Sequence, residues 1–145
     1  MESYVTPVSD LASLGDRLGG QIVDALISFV IAAVLIVPAL MIGDAAVIAV
    51  PIAVVLAYGY LLFADGLEGG QSYGKRLLGI AVIDSVTGRA CSFGQSFVRN
   101  ILLSILGPLD WIFIFGRKRQ RLGDKAAGTL VINAVGKVTL WGGAP

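Results

Sequence analysis

The sequence predicts a mainly α-helical membrane protein. It should have two transmembrane helices, a broken re-entrant or interfacial helix that could instead be a third crossing, and a small cytoplasmic β-hairpin or three-stranded sheet. Three observations lead there. Hydrophobic residues make up 56% of the 145-residue chain against 14% charged, with a mean hydropathy of +0.83; the core of a soluble domain of this size has no room for so much apolar surface. Two apolar runs, Leu18 to Ile42 and Ala45 to Ala64, are each long enough to cross a hydrocarbon layer of about 30 Å. A third, Ile101 to Phe115, is interrupted by Gly107-Pro108 and holds Asp110 near its middle.

The N-terminal residues include Glu2, Asp10, Asp16 and Arg17 without an apolar stretch, so no cleaved signal peptide is expected and the first span should remain in the protein. That span carries one carboxylate, Asp24. An ionised side chain at such a depth costs roughly 2.5–3.5 kcal/mol on insertion scales, which makes it a functional candidate. Arg17, Gln21, Asp24 and Ser28 are spaced four, three and four, so they share one stripe of a helix. The Arg17 and Asp24 Cα atoms should lie about 10.5 Å apart along the axis, with the Arg17 stem leaning away, so a direct intrahelical pair is not expected. Three ways to neutralise Asp24 remain open: a proton, water or a cation in a cytoplasm-facing recess, or hydrogen bonds from another element.

In the second span Ala45, Ala49, Ala53 and Ala57 recur every four residues, either as a close-packing face or as plain alanine richness. Residues 65–95 read as a cytoplasmic hairpin region. Leu77 to Asp84 is rich in branched residues, Val86 to Arg89 has turn chemistry and Ala90 to Phe93 follows. Thr129 to Asn133 could add a third strand. Residues 97–115 form the broken membrane helix, because proline cannot donate to the helix ladder and a break within the bilayer is tolerated only against protein or water. Residues 117–135 combine a basic motif with that strand, and Trp141 to Pro145 read as loose or interfacial. The whole chain, 1–145, reads as one membrane domain.

Of eleven Lys and Arg residues, only Arg17 precedes the end of the second span. By the positive-inside rule the N-terminus and both basic clusters face the cytoplasm, and the Gly43-Asp44 turn lies outside. Lys75, Arg76, Arg117, Lys118 and Arg119 are candidates for anionic lipid head groups, at about 1 kcal/mol per basic residue; a nucleic-acid site is not expected. With no His and one cysteine, Cys91, a His or Cys metal site is excluded and proton work would fall to carboxylates. The sequence has no nucleophile elbow and no metal-ligand spacing, and Gly69 to Arg76 matches a phosphate loop only loosely. Neither an enzymatic activity nor a cofactor is expected.

Arg17-Leu-Gly-Gly-Gln-Ile-Val-Asp24, Gly69-Gly-Gln-Ser-Tyr-Gly-Lys75-Arg-Leu-Leu-Gly79 and Arg119-Gln-Arg121-Leu-Gly-Asp124-Lys-Ala-Ala-Gly128-Thr129 together resemble the RDD family of bacterial membrane proteins, over about residues 14 to 135. The arginine and two aspartates that name the family match Arg17, Asp24 and Asp124. Where Ser72 stands the family usually has Thr. The resemblance implies a bacterial inner-membrane protein engaged in transport, some members being regarded as monovalent-cation/proton antiporters. On that reading Asp24, with Asp110 as a second oxygen ligand, binds Na⁺ or H⁺ in competition. Arg17, Gln21, Ser28, Arg121 and Asp124 then organise the cytoplasmic mouth, with Arg17 and Asp124 close together.

A homo-oligomer is expected, because so few spans rarely enclose a pathway. The alternative is a noncatalytic scaffold or subunit that docks a membrane-protein partner through the alanine stripe. Plainer roles stand beside these: Asp24 as a hydrogen-bonded packing residue, Arg17 as an interfacial anchor reaching lipid phosphates, and Asp124 as the N-cap of a short helix.

Overall fold

The computed structural model describes residues 11–134; the C-terminal Trp141–Pro145 segment expected to be loose lies outside them. Helix α1 (Leu14–Ile42) begins one turn earlier than the apolar run, because Ser13 caps it by accepting a hydrogen bond from the Asp16 amide at 3.0 Å. It returns through a short turn into α2 (Ala46–Phe63), which tightens into 3-10 turns at Ala64–Gly66 and Glu68–Gly70. Both helices are long and apolar enough to cross a membrane. Each contains a proline, Pro38 and Pro51, as membrane helices tolerate when neighbours satisfy the freed carbonyl.

The α1–α2 contact runs along small residues. Ala53 and Ala57 are buried within the chain, and Ser28 Oγ donates to the Ala57 carbonyl at 2.8 Å. The two inner positions of the alanine stripe therefore serve an internal contact and cannot be a face for docking a larger complex. Without Cβ branches, the backbones approach closely enough for dispersion and one hydrogen bond to hold them in lipid.

After α2 come the short α3 (Tyr73–Leu77), capped by Ser72, and strand β1 (Ile80–Asp84). Helix α4 (Phe93–Leu106) opens with a reciprocal capping box between Ser92 and Gln95. It stops at Gly107, and α5 (Pro108–Trp111) leaves at 117° with a 3-10 extension through Phe115. The third apolar stretch is therefore a sharply bent pair and not one straight crossing. Helix α6 (Leu122–Ala127) leads into β2 (Thr129–Asn133).

The expected hairpin forms only in outline. Strand β1 pairs antiparallel with β2 along one edge, Ile80 opposite Asn133 through Asp84 opposite Thr129. Along its other edge the segment after the turn folds back to make an isolated antiparallel bridge, Ala90 to Ile83, with the Asp84 amide donating to the Arg89 carbonyl at 2.8 Å and the Cys91 amide to the Val82 carbonyl at 3.0 Å. Ile80, Val82 and Val131 bury their side chains with Ala12 and Cys91 in one core. Asp84 caps the turn, accepting from the Val86 and Thr87 amides; those donors, Thr87 then Val86, hold its carboxyl below the usual range. Burial pushes the Cys91 thiol up to about 11, so it acts as a small apolar side chain and not a nucleophile.

Candidate functional site

Where α1, α3, α4 and α6 converge, the chain buries eight charged side chains among the described residues. Four are acids, Asp24, Asp65, Asp110 and Asp124, and four are bases, Arg17, Lys75, Arg99 and Arg121. The formal balance is zero, the condition under which ions can leave water at tolerable cost.

Asp124 is the hub. Its carboxylate receives Arg17 of α1 in a buried ion pair, Arg99 of α4 at 2.8 Å, and the Arg121 amide at 3.1 Å. Asp124 occupies the third position of α6, and Arg121 is the N-cap, so its expected role as an N-cap is corrected: it closes the first turn from inside while joining two distant helices. Burial alone would raise the Asp124 carboxyl, but the guanidinium groups of Arg99, Arg121 and Arg17 outweigh it and hold it down to about 2. Burial in turn lowers Arg121, against the attraction of Asp124.

Arg17 meets Asp124, as expected from the sequence. It is 5% exposed and also donates to the Arg119 carbonyl, so it is a buried cross-link and not a snorkelling anchor. Gln21, half-buried, accepts from Arg121 Nη1 at 3.3 Å. Ser28 is spent on the helix pair described above and belongs to no mouth.

Asp24 forms a second centre. Its carboxylate accepts from the Ser72 hydroxyl, from Tyr60 Oη at 2.8 Å and from the Gly74 amide at 2.9 Å, with Lys75 Nζ 3.6 Å away. Lys75 lies closer to Asp65, at 2.6 Å, and Arg99 Nη1 reaches Asp65 from the other side at 3.5 Å. Hydrogen bonds from other elements, one of the three ways open to Asp24, are in place, with the Lys75 ammonium beside them. The approach of α3 demands glycine, because a Cβ on Gly74 would lie 2.2 Å from the Gly20 carbonyl oxygen and 2.8 Å from Asp24 Oδ1. Gly123 is under the same constraint, with the Arg99 carbonyl oxygen 2.3 Å from where its Cβ would be. Two glycines of the sequence motifs thus exist to let charged neighbours touch.

Asp110 accepts from the Gly123 amide at 2.7 Å and faces Arg121 Nε at 3.5 Å. Among the described residues it shares no partner with Asp24. No group of three His, Cys, Asp or Glu side chains among the described residues could hold a metal ion.

The five candidate lipid contacts divide. Arg76, Arg117 and Lys118 are exposed. Lys75 is buried between Asp65 and Asp24, and half-buried Arg119 donates to the Ala12 carbonyl at 3.3 Å, so neither is free to serve a lipid surface. A carboxylate within reach of an ammonium in a water-poor site outcompetes a screened headgroup.

Asp65, Arg99 and Tyr60 escaped the sequence reading. A signal for two of them was present. Asp65 directly follows an apolar run, and Ser92, Ser96, Arg99 and Asn100 fall on one side of a helix; Ser96 Oγ donates to the Leu62 carbonyl and Asn100 to Asp65. Arg17, Asp24, Asp65, Lys75, Arg99 and Arg121 line a cavity of about 130 Å³.

Comparison with curated proteins and with solved structures finds no match. The RDD family model matches residues 11–128, a range that includes all eight members of the buried network and the helices that carry them. With the family's arginine and its second aspartate joined in one ion pair and its first aspartate held by the Ser72–Lys75 segment, this small membrane protein belongs to the RDD family.

Proposed function

We propose that the protein is a noncatalytic transport module of the bacterial inner membrane, with its N-terminus in the cytoplasm, exchanging a monovalent cation for protons as a homo-oligomer. The observation that carries this reading is Lys75. Its ammonium sits between Asp65 at 2.6 Å and Asp24 at 3.6 Å on the cavity wall, where a desolvated monovalent cation would find the same two carboxylates. A cation entering there competes with the ammonium, and with a proton, for the Asp24 carboxylate. The longer contact, to Asp24, is the one that opens. Arg76, Arg117 and Lys118 remain available to anionic lipids at the same end of the molecule.

The test is flux. The purified protein goes into liposomes with an internal pH dye and receives pulses of Na⁺, K⁺ or Li⁺, with Asp24→Asn alongside. Cation-dependent proton movement that vanishes in Asp24→Asn, with the variant still folded, is the expected result. Silence from a folded, correctly oriented preparation would sink it.

A second reading, a membrane scaffold or subunit, is favoured by the full set of hydrogen bonds on Asp24. It expects Asp24→Asn to be tolerated, and it needs a partner surface other than the buried Ala53 and Ala57.

A further inference from the structure

Helix α5 and its 3-10 extension cover Pro108–Phe115, about 12–14 Å at 1.5–2.0 Å per residue, too short to cross a hydrocarbon layer of about 30 Å. They run beside the first turns of α1. Between the two lies a groove of about 400 Å³, with Leu14, Gly15 and Leu18 on the α1 side and Trp111, Ile114 and Phe115 opposite. That volume is in the range of ligand clefts, roughly 300–1,000 Å³. Among the described residues no charged side chain lines it. Ile114 is packed into the chain at 2% exposure and fixes the inner wall, while Leu18 and Phe115 turn 50% and 82% of their surface outward. Nothing in the described chain requires glycine at Gly15, where a Cβ would meet only Ser13 Oγ at an ordinary 3.8 Å. Glycine is a poor helix former, and its effect here is to keep the groove open.

Charge enters directly after this wall. Phe115 is followed by Gly116 and then by Arg117 and Lys118, both exposed, whereas Arg119 and Arg121 are turned into the chain. In the other direction exposed Ile22 follows Leu18 one turn further along α1, so the apolar surface continues along the membrane helix. An apolar groove on a membrane helix with two cations beside it matches a phospholipid with an anionic head. We propose that the groove holds one acyl chain of an anionic phospholipid, whose phosphate is received by Arg117 and Lys118. A second copy of the chain on this face would bring more bases to the same edge, where like charges repel; a phosphate neutralises them. The inference rests on the lipid contact proposed above for these two residues and not on cation exchange.

Trp111 is the reporter, because it lines the groove. Replacing the chain's other tryptophan, Trp141→Phe, isolates its fluorescence, and bromine on an acyl chain quenches an indole only in close contact. The full chain is placed in phosphatidylcholine vesicles to which phosphatidylglycerol is added, with bromine on the chains of one lipid or the other. Brominated phosphatidylglycerol should quench Trp111 at about tenfold lower mole fraction than brominated phosphatidylcholine, equivalent to about 1.4 kcal/mol. Equal quenching by the two lipids would mean ordinary bilayer contact and overturn the site. So would the absence of quenching by either, which would mean that protein covers the groove.

Two variants separate the chain from the head group. Arg117→Gln with Lys118→Gln, both at exposed positions, should abolish the preference for phosphatidylglycerol; a preference that survives would overturn the proposal. Gly15→Leu fills the groove with a better helix former and touches no ion pair. It should cut quenching by brominated phosphatidylglycerol at least twofold at an undiminished unfolding temperature. Full quenching in Gly15→Leu, with the preference still lost in the Arg117 and Lys118 variant, would leave a head-group contact and overturn the acyl-chain groove. None of these readouts needs proton flux, so failure here and failure of the exchange reading are separate results.

Discussion

The two ends of the long helices are held together by opposite means. Beyond Ser28, α1 and α2 touch through Ala53 and Ala57 and show Val30, Val34, Val37, Val47 and Val55 outward. At the other end four helices meet on eight buried charges, nearly all in ion pairs that cross between elements. The apolar end needs only small residues inside and lipid outside, so many sequences satisfy it. The charged end needs particular partners, because each ion left alone in a low-dielectric site costs several kcal/mol. One end is specified by its solvent and the other by its neighbours.

The largest effect should come from the hub. Asp124→Ala leaves Arg17 and Arg99 without their shared carboxylate, and removing one partner of a buried pair costs about 3–5 kcal/mol. Loss of the folded state in detergent, followed by thermal unfolding, is the expected result; a variant as stable as the parent would mean that the charged end is as tolerant as the apolar one. Acid probes the same hub without mutation. The Asp124 carboxyl is held at about 2, below its ordinary 3.8, so its contribution is complete above about pH 4 and is lost as pH falls toward 2. Acid unfolding of the parent should therefore include a component in that window.

Gly74→Ala comes next. The new methyl would collide with the Gly20 carbonyl and Asp24, and overpacking at a rigid contact costs about 1–3 kcal/mol. Thermal unfolding should show the loss, whereas Gly59→Ala, with nothing near the added carbon, should not lower stability.

The apolar end gives smaller changes. Ala57→Leu forces α1 and α2 apart and should cost about 1–3 kcal/mol, toward the low end because the helices can slide, while exposed Val55→Leu should change stability by less than about 0.5 kcal/mol. Equal effects of the two would remove the assigned packing face. Smallest of all, Arg117→Gln with Lys118→Gln should leave unfolding unchanged and weaken association with anionic vesicles by about 1 kcal/mol per charge, measured by vesicle flotation.

Much of this architecture was legible in advance. Apolar runs declare membrane helices because partition into lipid sums over local residues, and Gly107-Pro108 declared a break that the structure realises as a 117° bend. The stripe from Arg17 to Asp24 pointed at the right face of α1. Misreadings gathered where a residue's partner is distant. Lys75 looks like a lipid contact beside Arg76, yet helical phase turns it inward to Asp65 and Asp24. The β1 strand looks like half of a local hairpin, yet its full ladder is made with β2, an apolar match from the far end of the chain.

Sequence alone determined which segments enter a membrane, where charge is concentrated and which family the motifs resemble, because solvent preference and helical period are properties of neighbouring residues. Tertiary structure decided which charge meets which. Arg17 and Asp124 stand 107 positions apart, and nothing local in either motif states that a third helix brings Arg99 to the same carboxylate. Ion pairing in a buried site depends on the whole set of charges that arrive there, and that set exists only once the chain has folded.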